Sequence, residues 1–68
     1  MSDDYVEIEA HVTVCRRDAV RISNDDGAGW CPRSVLHAAT DAQVEDAVGG
    51  GAITIKLRRW KAEELEMY

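Results

Sequence analysis

The chain is 68 residues long, 46% hydrophobic and 31% charged, with one proline and no phenylalanine. A chain of this size has room for one hydrophobic core and buries only about 60% of its unfolded surface, which excludes a multi-domain enzyme and leaves stability marginal. Eight Lys plus Arg against thirteen Asp plus Glu leave a net charge of −5. That balance opposes generic attraction to a phosphate backbone and favours a neutral or basic partner.

No apolar run nears the roughly 18 residues that cross a bilayer, and Ser2-Asp3-Asp4 places acid where a signal peptide carries base. The expected location is cytoplasmic, without membrane attachment. Cys15 and Cys31 are too few for a disulfide framework and are expected as thiols in a reducing compartment. A single domain is expected over residues 1–68, with disorder at 1–4 and a flexible glycine joint at 49–51.

From Tyr5 to Cys15 apolar side chains fall on even positions (Val6, Ile8, Ala10, Val12, Val14) and polar ones on odd positions from Glu7 to Thr13. Period two over such a length predicts a strand with one buried face. After the polar break Arg16-Arg17-Asp18, Val20 and Ile22 alternate with Arg21 and Ser23, which predicts a hairpin. The stretch from Ser23 to Gly29 is rich in turn formers, and Trp30-Cys31 restarts an apolar strand that Pro32 should end. A three-stranded meander is therefore expected over residues 5–32.

Residues 34–39 fit either a helical turn or irregular chain. Thr40-Asp41-Ala42-Gln43 has capping-box spacing and Gly49 can stop a helix, so one short helix is expected over residues 41–48. The glycines at 49–51 are no phosphate loop, because neither Lys-Ser nor Lys-Thr follows them. Ile53, Ile55 and Leu57 alternate with Thr54 and Lys56 as a fourth strand, and helix formers follow Arg58 with Leu57, Trp60, Leu65 and Tyr68 within reach of one stripe.

The expected fold is α+β: a small four-stranded, mostly antiparallel sheet, either open or curled into a small barrel, with one short helix and a C-terminal helical segment as second layer. The expected core is Val6, Ile8, Val12, Val14, Val20, Ile22, Trp30, Val35, Leu36, Ile53, Ile55, Leu57, Trp60 and Leu65.

Chemistry-bearing residues are few. His11, Cys15, Cys31 and His37 are the soft metal ligands and number enough for tetrahedral zinc, but their spacing does not match knuckle or helix pairs, and a free cysteine often serves as a small core hydrophobe. Asp25-Asp26 lacks the alternating oxygens and closing Glu of a calcium loop and reads as a solvated turn. No nucleophile-base pair stands out, so neither catalysis nor a cofactor is expected. Lys56, Arg58, Arg59 and Lys61 surround Trp60 with four positive charges, the minimal equipment for holding phosphates and stacking a base.

The segment Val20 to Ser34, with Trp30-Cys31-Pro32-Arg33-Ser34 after its polar turn, resembles a pattern in small phage and prophage proteins: strand, turn, then Trp, an aliphatic, Pro, Arg or Lys, and Ser. Trp60-Lys61-Ala62-Glu63-Glu64 is similar to their Trp-Leu-Ala-Glu-Glu ending. Cys31 stands where that pattern has an aliphatic, and Lys61 replaces an apolar residue. The resemblance implies a mobile-element origin, where small acidic proteins often act by occupying a host protein, anti-CRISPR and DNA-mimic inhibitors included.

The expected function is that of a non-enzymatic accessory protein working by protein contact, with Asp25, Asp26, Arg33 and the open strand edges as its surface. The alternative is a nucleic-acid-binding module using Arg16, Arg17, Arg21 and the basic stretch Lys56, Arg58, Arg59 and Lys61. Pairing of an open sheet edge would also hide unpaired backbone groups in a homodimer.

Overall fold

The computed structural model describes residues 4–68, so most of the segment expected to be disordered, residues 1–3, lies outside the described residues. Strand β1 (Tyr5–Cys15) is followed by β2 (Ala19–Asn24), β3 (Gly27–Pro32), a 3-10 turn (Arg33–Val35), α1 (Ala38–Asp41), α2 (Val44–Ala47), β4 (Ile53–Arg58) and α3 (Arg59–Glu64). The sheet runs β3-β2-β1-β4 with every neighbour antiparallel. The expected meander and fourth strand are present. The turn between β2 and β3 shrinks to Asp25-Asp26, since Gly27 already belongs to β3.

The long β1 serves two partners at different ends. Residues Tyr5 to Ala10 pair with β4, while His11 to Cys15 pair with β2. Register slips between Val12 and Val14, so Thr13 is the extra residue of a bulge. The bulge reverses the alternation: Val14 comes opposite Arg21 on the solvent face, and Cys15 comes opposite the fully buried Val20.

The sheet does not close into a barrel. A barrel needs its two edge strands to pair, and here β3 and β4 remain the two ends of the sheet. The outer edge of β4 is covered instead by the segment after the 3-10 turn. His37 N–H donates to the Lys56 carbonyl at 2.8 Å, Lys56 N–H donates to Thr40 Oγ1 at 2.9 Å, and Leu36 bridges Leu57.

Thr40 is therefore no helix N-cap. His37 caps α1, its Nδ1 accepting from Ala39 N–H at 3.1 Å, and the single helix expected over 41–48 is two one-turn helices. Thr40, although polar, is buried because β4 satisfies its hydroxyl.

The core gathers Val6, Ile8, Ala10, Val12, Val20, Ile22, Cys31, Val35, Leu36, Val44, Ile55, Leu57, Ala62 and Met67. Five expected members differ. Trp30 and Trp60 are 43% and 56% exposed, and Val14, Ile53 and Leu65 are only half-buried. Trp30 lies on the solvent face because its neighbour Cys31 takes the inward position opposite Val20. On α3 the buried positions are Ala62 and, past its end, Met67, so the stripe through Trp60 and Tyr68 faces water. Gly29 makes room for this layer, since a Cβ there would lie 2.5 Å from Leu65 Cδ2.

Helix α3 ends in a Schellman arrangement: Met67 N–H donates to the Ala62 carbonyl at 3.1 Å and Glu66 N–H to the Glu63 carbonyl at 3.0 Å. Glu66 has a φ of 60° where glycine is the usual occupant. The left-handed cost of about 1 to 2 kcal/mol exceeds glycine's entropy cost of roughly 0.5 to 1 kcal/mol. Glu66→Gly is therefore expected to stabilise the fold by about 0.5 to 1 kcal/mol in urea unfolding; an unchanged or lower midpoint would count against this stop.

Candidate protein-binding surface

The offset pairing of β1 leaves a notch. Because Lys56 turns its backbone groups outward to His37 and Thr40, its partner Glu7 turns its own away from β4. On that side β2 has already ended, and among the described residues nothing pairs with the Glu7 backbone. The β2–β3 turn closes one end of the notch, tied by Asn24 Nδ2, which donates to the Glu9 carbonyl at 3.1 Å. Asn24 Oδ1 also accepts from Asp26 N–H at 2.8 Å and Gly27 N–H at 3.2 Å, which holds the two aspartates in an Asx turn.

The result is an open cleft of about 380 Å³ with Glu7, Glu9, Asp25 and Asp26 at its rim and Ile8, Met67 and Tyr68 at its floor and side. Sequence reasoning named Asp25 and Asp26 but not Glu7, Glu9 or Tyr68. Nothing in the local pattern announces this grouping, because it depends on where β2 stops relative to β1.

Arg33, expected on the contact surface, turns inward. Its side chain is only 17% exposed. Nε donates to Asp41 Oδ1 at 2.7 Å, Nη1 to the Arg16 carbonyl at 3.1 Å and to Glu45 Oε2 at 3.3 Å, and Nη2 to the Asp41 carbonyl at 3.3 Å. The hydrogen bond that the guanidinium donates to Asp41, joined by the one to Glu45, raises its proton affinity further above its ordinary value. The fork ties α1 and α2 to the β1–β2 turn.

The basic residues do not form one patch. Lys56 and Arg58 lie over the Tyr5 ring at 6.0 and 4.8 Å, and His37 meets the same ring edge-on at 5.1 Å. Arg59 pairs with Asp4 at 3.0 Å, and the largely covered Lys61 pairs with Glu64 at 3.0 Å. Arg16, with its guanidinium 5.5 Å over Trp30, and Arg21, opposite Trp30, stand at the far end of the sheet; Arg17 shares the exposed β1–β2 turn with Arg16. Glu7 and Glu9 occupy the solvent face of β1 next to β4.

The four soft ligands are dispersed as well. Cys31 is buried in the core, Cys15 lies beside Arg33, His37 caps α1, and His11 Nδ1 sits 3.4 Å from the Gly50 carbonyl. Among the described residues no three His, Cys, Asp or Glu side chains are grouped to hold a metal, and no helix is long and apolar enough to cross a membrane. No family model matches the chain, and comparisons with curated proteins and with solved structures likewise give no match.

Two outcomes follow from these placements. Lysine at position 33 supplies a point charge without a planar fork and cannot bridge Asp41, Glu45 and the Arg16 carbonyl together. Arg33→Lys is expected to lower the melting temperature, and an unchanged value would show that the fork is no tie.

Burial pushes the Cys31 thiol up to about 11, against a smaller opposing pull from Lys61. With the folded value above the unfolded one, the contribution is intact below the unfolded value near 9 and is lost as pH rises to about 11. In the native protein iodoacetamide should modify the half-buried Cys15 before Cys31, and equal rates would refute this burial.

Proposed function

We propose that the protein is a non-enzymatic binding module that engages a basic, extended segment of another protein through the notch on β1. The observation that carries this reading is the coincidence of an unpaired strand edge at Glu7 with a rim of four carboxylates from two elements. An added strand would gain main-chain hydrogen bonds from that edge. The carboxylates would select Lys or Arg, and Met67 with Tyr68 would supply apolar contact.

The chain's resemblance to small phage and prophage proteins extends the proposal to a host protein as target, in the manner of an inhibitor such as an anti-CRISPR. The acidic balance supports a neutral or basic target. The nucleic-acid alternative draws less support. A phosphate backbone crossing from the Arg16 and Arg21 corner to the Lys56 and Arg58 corner would pass Glu7 and Glu9, and Arg16, Lys56 and Arg58 already lie over rings of the protein itself.

The test is capture from a bacterial host lysate by the wild type and by a Glu7→Gln, Glu9→Gln variant, beside oligonucleotide titration at low salt. A specific basic protein is expected on the wild type, with retention weakened about tenfold in the variant, the order set by two rim charges. Oligonucleotide binding with a steep salt slope and no specific protein would replace this reading with the nucleic-acid one.

A further inference from the structure

A second strand edge, the outer edge of β3, is open on the same side of the sheet as the notch, the side away from β4. In the hairpin closed by Asn24 and Gly27, the residues Gly27, Gly29 and Cys31 turn their backbone groups to β2, a parity that Arg33 N–H continues by donating to the Asp18 carbonyl at 2.9 Å. Ala28, Trp30 and Pro32 turn theirs away; among the described residues nothing bonds to the backbone of Ala28 or Trp30, and the Pro32 carbonyl meets only the Cys31 thiol, at 3.6 Å. Natural edges are commonly protected by charged side chains or proline; β3 carries no charge, and its proline, Pro32, stands at the end of the strand, beyond the stretch of residues 28–30. Its exposed side chains are Ala28, the 43% exposed Trp30 and Pro32.

We propose that β3 pairs antiparallel with β3 of a second copy about a two-fold axis at Gly29, joining two four-stranded sheets into one of eight. In that register Ala28 exchanges both backbone hydrogen bonds with Trp30 of the other copy, and the reverse, so four bonds form and each indole covers an exposed alanine. Gly29 faces its own equivalent, with no side chain to separate the backbones.

Charge decides for a second copy over other occupants. The hairpin is acidic at the Asp25-Asp26 turn, and its other end is net positive, where Arg16 covers Trp30 and the β1–β2 turn carries Arg17 and one exposed acid, Asp18. Antiparallel pairing sets each acidic turn against the other copy's arginines, twice by symmetry. A simple basic or acidic peptide would satisfy only one end. The proposed interface shares the Asp25-Asp26 turn with the notch but its backbone pairing lies on β3, and it is read on the purified protein alone.

The experiment is sedimentation equilibrium over a range of concentrations, with circular dichroism to monitor folding. The wild type is expected to be in monomer–dimer equilibrium. Ala28→Pro removes an N–H that the monomer's own ladder does not use, so a folded monomer is expected. Reversing the turn (Asp25→Lys, Asp26→Lys) or the facing arginines (Arg16→Glu, Arg17→Glu) should each weaken association about tenfold or more, and combining both reversals should restore it. A wild type still monomeric at about 1 mM would overturn the proposal. So would a dimer that persists in folded Ala28→Pro, or a combined reversal without recovery. If Ala28→Pro does not fold, the charge reversals decide.

Discussion

Val12 is the junction on which the sheet depends. Its side chain is buried, its register partner on one side is Ile22 of β2, and on the other its carbonyl accepts Gly49 N–H at 3.2 Å while Val48 bridges it. One residue earlier β2 begins to pair, and two residues earlier β4 has finished. An eleven-residue strand shared in this staggered way lets two six-residue partners be joined without a closed barrel. The stagger has a necessary consequence: β1 lacks a second neighbour over its first half. The notch is therefore a product of strand lengths and register before any side chain is considered.

Strand placement was readable from the chain because period-two alternation and turn chemistry are local. Four strands, their antiparallel meander and the helical ending all follow from residues close in sequence. What escaped that reading depends on partners distant in sequence. The alternation through Val14 looks unbroken, yet the bulge at Thr13 turns Val14 outward, since a one-residue slip reverses every side chain after it. Trp30 and Cys31 are adjacent apolar residues, and only pairing with Val20 decides that the smaller one goes inside. Residue size favours the tryptophan; register overrules it.

The polar residues tell the same story at finer scale. Thr40 has the sequence context of a capping box, but the unpaired Lys56 N–H of an edge strand is a stronger claimant for its hydroxyl in a buried position. His37 then takes the cap, and the same segment shields the β4 edge. Arg33 was legible as a conspicuous charge after proline and not as an internal tie, because its acceptors come from Asp41, Glu45 and the Arg16 carbonyl, spread over three parts of the chain. A lone cation in sequence says nothing about how many acceptors will converge on it.

Net charge is a poor guide to the surface for a related reason. The cations are drawn inward or onto rings: Arg33 into its fork, Lys61 to Glu64, Arg58 and Lys56 over Tyr5, Arg16 over Trp30. Among the described residues most carboxylates have no such partner and remain exposed, with Glu7, Glu9, Asp25 and Asp26 converging on one opening. The field near the notch is thus more negative than five charges spread evenly over the molecule would make it. Both open edges of the sheet end at the Asp25-Asp26 turn, so the one acidic element borders β1's notch on one side and β3's bare edge on the other. A partner for either edge is selected at that turn first by sign of charge, and only then by backbone pairing.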